Sequence, residues 1–192
     1  MFDGFKENNN ILNKNEKLIK QYPFLRIDEA CWWNPISEKY NIGYTWLDEL
    51  EPGWKVAFGE CLCKELKKSI EEDGCEDTFH FIQIKEKYGT LRLYAEGYGP
   101  KTREVLAKYE ELSKYVCGQC GKTATKITTG WIYPLCDDCA QKIQHHVAYI
   151  WDFYGYESQE EIEQEIQNIQ TNFKYDDYWT EVRKEIDEES NA

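Results

Sequence analysis

From Trp54 onward the apolar residues return at every fourth position: Trp54, Phe58, Leu62, Leu66 and Ile70, with charged residues between them. That period predicts a helix with one buried stripe, and Asp73-Gly74 marks its end. Between Phe79 and Glu96 the period shortens. Phe79, Phe81, Ile82 and Ile84 supply strand formers, Leu91, Leu93 and Ala95 alternate, and Lys87-Tyr88-Gly89 lies between the two runs as a turn, so the segment reads as a β-hairpin. Gly97 to Pro100 breaks the chain. Pro100 suits the first turn of a second helix, in which Val105, Tyr109, Leu112 and Val116 share a stripe. A third helix is predicted from Ala140 to about Trp151. Residues 157–189 then read as one or two acidic helices, with Ile162, Ile166, Ile169 and Phe173 on one stripe and Trp179, Val182 and Ile186 on another. Upstream of Trp54 the pattern is weaker. The first twenty residues read as a polar helix or loose arm, and Tyr22 to Trp54 is aromatic and turn-rich, with short strands at most.

Charge adds a second division. The 192 residues carry a formal net charge of −13, and residues 150–192 hold ten of those negative charges. A nearly neutral body therefore bears a strongly acidic extension, which repels phosphate backbones and attracts basic protein surfaces. Direct nucleic-acid binding is disfavoured on this balance. Seven Trp and fourteen Tyr argue for an ordered chain. Met1 to Asn15 is polar, without the apolar core of a signal peptide, and no apolar run reaches the length of a membrane span. The expectation is a cytoplasmic protein with no membrane association. It divides into a polar arm (1–21), an α+β body (22–116), a zinc-binding module (117–151) and an acidic helical extension (152–192).

The most specific chemistry lies in the cysteines. Cys117-Gly-Gln-Cys120 is followed after fifteen residues by Cys136-Asp-Asp-Cys139. Two Cys-x-x-Cys pairs at this separation read as one four-thiolate site for a single Zn²⁺. Each pair bends the backbone so that two sulfurs converge, and the intervening loop suits a β-hairpin. With four protein ligands no position is open to water or substrate, so the metal is expected to be structural. Placing the second pair on the first turn of a helix gives a treble-clef-like arrangement, with the helix N-terminus favouring thiolate charge. Cys31, Cys61, Cys63 and Cys75 are irregularly spaced and read as ordinary thiols.

Other candidates are less specific. Lys85 and Lys87 share one face of a strand, and with Gln83, Arg92 and Tyr94 they form a candidate clamp for a phosphate or carboxylate. Glu160, Glu161, Glu163, Glu165, Asp176 and Asp177 are candidate partner-binding residues on the extension. His80, His145 and His146 are the only histidines, and no Ser/His/Asp order, His-Glu-x-x-His motif or phosphate loop accompanies them. Of the Trp residues, Trp32, Trp33, Trp46 and Trp54 read as core, with Trp32-Trp33 a possible interface anchor.

The string Gln83-Ile-Lys-Glu-Lys-Tyr-Gly-Thr-Leu-Arg-Leu-Tyr94 resembles a hairpin motif of small proteins of tailed phages and prophages. In that family the hairpin precedes a helix, a Cys-x-x-Cys, a Gly-Trp and a final Leu-Cys pair. The corresponding residues are Glu111-Leu-Ser113, Cys117, Cys120, Gly130-Trp131 and Leu135-Cys136-Asp-Asp-Cys139, and Pro52-Gly53-Trp54 is similar to the family's helix entry. The likeness covers about residues 22–143 and omits the acidic extension. It implies a phage or prophage origin and brings no activity with it.

These readings combine into an α+β fold: a small antiparallel sheet with packed helices, a treble-clef-like zinc module and an acidic helical C-terminal extension. The expected function is non-enzymatic: binding and inhibiting or redirecting a host protein with a basic surface, such as a nucleic-acid-processing or defence enzyme. An anionic-ligand or nucleic-acid module acting through the Lys85/Lys87/Arg92 hairpin is the alternative, and a metal-dependent nuclease or hydrolase is third.

Overall fold

The helix predicted from Trp54 is the longest element, α1 (Pro52–Asp73). Pro52 sits in its first turn, where the missing N–H costs nothing. Gly74 ends it in the left-handed conformation, its N–H returning to the Glu71 and Ile70 carbonyls. The four-residue stripe is buried from Trp54 to Ile70. The computed structural model describes residues 15–27, 44–143 and 145–173. Cys31, Trp32, Trp33, Asp176, Asp177 and the stripe of Trp179, Val182 and Ile186 lie outside the described residues.

The hairpin forms as β1 (His80–Lys87) and β2 (Thr90–Glu96), antiparallel, with Lys87 opposite Thr90 and Lys85 opposite Arg92. Its two-residue turn places Tyr88 at φ 54° and Gly89 at φ 76°. Two positive φ values in succession give the turn whose twist matches that of paired strands. A register shift between Phe81 and Gln83 inserts one residue. That bulge is why Phe81 and Ile84, three apart, both face the core with Leu91 and Leu93.

The second helix, α2 (Pro100–Leu112), packs against α1, with the Phe58 and Tyr109 rings 5.4 Å apart. Asp73, at the end of α1, accepts N–H bonds from Thr102 (2.8 Å) and Lys101 (3.3 Å) and so caps α2. The predicted stripe is shorter than its spacing suggests. Tyr109 and Leu112 are buried, but the helix stops at Leu112, a 3-10 turn follows (Ser113–Tyr115), and Val116 is extended. Side chains from this region close the free edge of β2. The Leu91 N–H donates to Ser113 Oγ (2.8 Å) and the Leu93 N–H to Glu110 (2.6 Å), so side chains occupy two N–H groups that another strand would need.

After Val116 the chain builds a second, three-stranded antiparallel sheet from β3 (Lys126–Thr128), β4 (Pro134–Leu135) and β5 (Val147–Tyr149), in the order β4-β3-β5. Here one expectation is corrected. The third helix does not run from Ala140 to Trp151. It is a single turn, α3 (Asp137–Ala140), and β5 and a short α4 (Ile150–Tyr154) occupy the rest. Residues 141–146 hold a single apolar residue, Ile143, and offer a helix little to bury, whereas Val147-Ala-Tyr149 is strand-forming and satisfies its backbone on the open edge of β3.

The last described element is α5 (Gln159–Asn172). Ser158 accepts an N–H bond from Glu161, while the Glu161 carboxylate takes the Glu157 N–H, a reciprocal cap. Ile162 is fully buried and Ile169 nearly so, in the same core as α1, α2 and the hairpin, with Ile166 and Phe173 partly covered beside them. The fold is thus α+β, with two small antiparallel sheets, packed helices and the cysteine module.

Candidate metal centre

Two backbone devices gather the cysteines. In the first, Cys117 N–H bonds to the Lys122 carbonyl and Gly121 N–H returns to the Cys117 carbonyl, a tight knuckle around Cys117 and Cys120. In the second, Cys136 is the N-cap of α3, and Cys139 and Ala140 direct their N–H groups to its carbonyl. The hairpin of β3 and β4 brings one against the other. All four Sγ atoms lie within 4.8 Å of one another, and Cys120 and Cys136 are 3.5 Å apart. Tetrahedral coordination with bonds of about 2.3 Å needs sulfurs about 3.8 Å apart, so the set fits one metal ion. Cys117, Cys136 and Cys139 are buried and Cys120 is partly exposed. The Lys122 backbone N–H draws Cys120 down to about 7, whereas burial pushes Cys139 up to about 12. Lys122 and Lys126 pair with Asp138 and Asp137 around the second cysteine pair.

The module is fastened to the start of α1. Gly53 N–H bonds to the Gly118 carbonyl at 2.7 Å, and a side chain on Gly53 would meet Gly118 backbone atoms at 2.7 Å as well as the Cys117 carbonyl. Glycine at 53 is what allows this approach, while glycine at 118 leaves room for the Tyr133 ring, whose hydroxyl a side chain there would meet. Trp54, fully buried, donates its indole N–H to the Val116 carbonyl (3.0 Å), and Tyr133 donates its hydroxyl to Glu51 (2.7 Å). By sequence Gly53-Trp54 reads as a helix entry. Its role as a clamp on the cysteine knuckle becomes visible only in three dimensions.

The hairpin residues Gln83, Lys85, Lys87, Arg92 and Tyr94 occupy one face, opposite the buried Ile84, Leu91 and Leu93. They differ in setting. Lys85 lies 5.1 Å from the Tyr94 ring centre and Lys87 5.3 Å from that of Tyr88. Arg92 turns toward the body: it donates to the Leu91 carbonyl and stabilises the charged forms of Glu110, Glu111 and Tyr154. Burial still pushes Glu110 and Glu111 above the usual carboxylate range. Of the acidic candidates, Glu160, Glu161 and Glu163 are exposed on α5 and Glu165 is half-buried. His80 contacts the Thr78 carbonyl and Glu96, and His145 and His146 are exposed, so no histidine joins the cysteines. Trp46 and Trp54 are core. A cleft of about 1030 Å³ runs between residues 20–26, α1 and the start of β1, over Phe24, Trp46 and Phe81, with Lys20, Arg26 and Glu71 on its rim.

Two conspicuous residues were missed as candidates. Trp131 is 76% exposed and Tyr88 70%. Lys87-Tyr88-Gly89 was legible as a turn and Gly130-Trp131 as a motif element; an aromatic at each turn was the available signal. No family model matches the chain, and no curated protein or solved structure matches it. Among the described residues no helix is long and apolar enough to cross a membrane.

Proposed function

We propose that this chain is a zinc-stabilised interaction protein that presents a fixed acidic helix to a protein partner with a basic surface. The observation that carries this reading is the division of α5: its isoleucines are sunk in the core, which holds Glu160, Glu161 and Glu163 outward on a rigid support. Such a face gains most from a basic groove, and salt screens the attraction over about 8 Å at physiological ionic strength. Zn²⁺ is the metal that four thiolates in tetrahedral register favour, as one structural ion with no open coordination position. Four free thiolates in one site suit a reducing cytoplasm. The hairpin motif and its phage-family likeness support a bacterial host as the source of the partner, a nucleic-acid-processing or defence enzyme whose basic groove normally holds nucleic acid.

Affinity capture from a bacterial lysate tests this reading. The zinc-loaded chain should retain a basic protein at low salt and release much of it as salt rises, and replacing Glu160, Glu161 and Glu163 together by Lys should slow association more than it speeds dissociation. Equal capture by the charge-reversed chain at both salts refutes it. A second reading has its own observation: Gln83, Lys85, Lys87 and Tyr94 share the outer hairpin face, with Lys87 and Tyr94 exposed on it, which suits an anionic ligand.

A further inference from the structure

The two hairpins of this chain touch at their tips. A side chain on Gly89, in the turn of β1 and β2, would lie 2.8 Å from Ile132 Cγ2 and 3.2 Å from the Ile132 carbonyl oxygen, in the loop between β3 and β4. Tyr88 and Trp131 are the immediate chain neighbours of that contact. With consecutive Cα atoms 3.8 Å apart along the chain, the Cα atoms of Tyr88 and Trp131 are within roughly 14 Å of each other. They are also the two most exposed aromatics among the described residues. Forty-three residues of sequence separate two exposed rings that the fold carries on adjoining turns.

Their surroundings are unusual for so acidic a chain. Segments 87–90, 129–132 and 145–147 contain no Asp or Glu, and they contribute Lys87, His145 and His146. The nearest acid in sequence, Glu86, is occupied: its carboxylate accepts the Gly89 N–H at 2.6 Å inside the turn. Thr129 bonds to the His146 carbonyl, which holds the exposed histidine pair beside the Trp131 loop. From Tyr88 the same hairpin face continues through Lys87 and Lys85 to Tyr94, and it carries no carboxylate along that length. Cations alternate with aromatics: Lys87 lies by the Tyr88 ring and Lys85 by the Tyr94 ring.

Exposed rings on adjoining turns, flanked by lysines and with the neighbouring Glu86 engaged inside its turn, match the chemistry of an unpaired nucleic-acid strand, whose bases stack and whose phosphates need cations. We propose that the joined tips are a contact site for single-stranded nucleic acid, with bases stacked on Tyr88 and Trp131 and phosphates drawn to Lys87 and Lys85. The acidic extension repels such a strand at a distance, so attraction here is short-ranged and rests on stacking. The site is separate from the acidic face of α5.

The test is fluorescence anisotropy of labelled mixed-sequence DNA and RNA decamers with the full zinc-loaded chain. Binding of either is expected at low salt. With two lysine contacts, log K should fall against log salt with a slope no steeper than about −1.4. Trp131→Ala and Tyr88→Asn should each weaken binding about tenfold; Asn tolerates the positive φ of position 88 and so preserves the turn. Lys87→Ala should flatten the salt slope by about 0.7. Zinc content and melting temperature should not change in any variant, and Val56→Ala, equally exposed on α1, should bind as wild type. The proposal is overturned if neither decamer binds at low salt, or if binding survives the loss of both aromatics. It is equally overturned if the aromatic variants lose protein capture and keep oligonucleotide binding. Charge reversal of α5 leaves the aromatic dependence intact, so this proposal and the α5 reading can fail separately.

Discussion

Replacing Gly53 by Ala tests whether the cysteine module and the first helix form one packed body. The new Cβ would sit 2.7 Å from the Gly118 carbonyl carbon and oxygen and against the Cys117 carbonyl, all backbone atoms of the metal knuckle. No rotamer relieves a backbone clash, so the knuckle must move away from α1. That movement breaks the 2.7 Å Gly53–Gly118 hydrogen bond and pulls on the Trp54–Val116 bond behind it. Overpacking of this kind costs about 1–3 kcal/mol and a lost hydrogen bond about 0.5–1.5. Alanine returns at most about 1 kcal/mol through helix propensity. The net expectation is a loss of about 2 kcal/mol, roughly thirtyfold in the folding equilibrium. Urea unfolding of the zinc-loaded chain, followed by Trp fluorescence, measures this loss directly. Competition with a chelator measures the accompanying fall in metal affinity, because Cys117 is displaced with its carbonyl. Val56→Ala, on the solvent side of the same helix, should stay within about 0.5 kcal/mol. If Gly53→Ala unfolds with wild-type midpoint and holds its metal as firmly, the two parts are not clamped and the reasoning fails.

Replacing Cys136 by Ser should abolish stoichiometric zinc, measured by elemental analysis, and unfold the module, since structural zinc sites supply about 10–16 kcal/mol of apparent binding energy in small peptides. Asp73→Asn should cost about 1 kcal/mol at neutral pH by weakening the cap on α2. Burial pushes the Asp73 carboxyl up, but the bonds from Thr102 and Lys101 outweigh it and hold it below its ordinary value. Its stabilisation is therefore present above the unfolded-state value and lost as pH falls through the folded-state one, so the gap between wild type and variant should close in acid. Ile162→Ala should destabilise the whole chain by about 2–5 kcal/mol in denaturant unfolding, because this fully buried residue of α5 belongs to the central core. A change below 1 kcal/mol would make α5 an appendage.

Much of this molecule is written in short stretches of its sequence. The four-residue stripe of α1, the Pro100 start of α2, the turn at Lys87-Tyr88-Gly89 and the spacing of Cys117, Cys120, Cys136 and Cys139 each lie within about two dozen residues of chain. Backbone geometry there leaves few alternatives. The segment after Cys139 shows where that locality ends. Residues 147–149 pair as a strand because the edge of β3 is open beside them, and no local period reports an open edge. The bulge at Phe81, the docking of α5 through Ile162 and Ile169, the approach of Gly53 to Gly118 and the approach of Gly89 to Ile132 are of the same kind. Each is a contact between segments distant in sequence. Its energy appears only once the chain has closed around it, so the amino-acid order supplies the participants and the tertiary structure decides which of them meet.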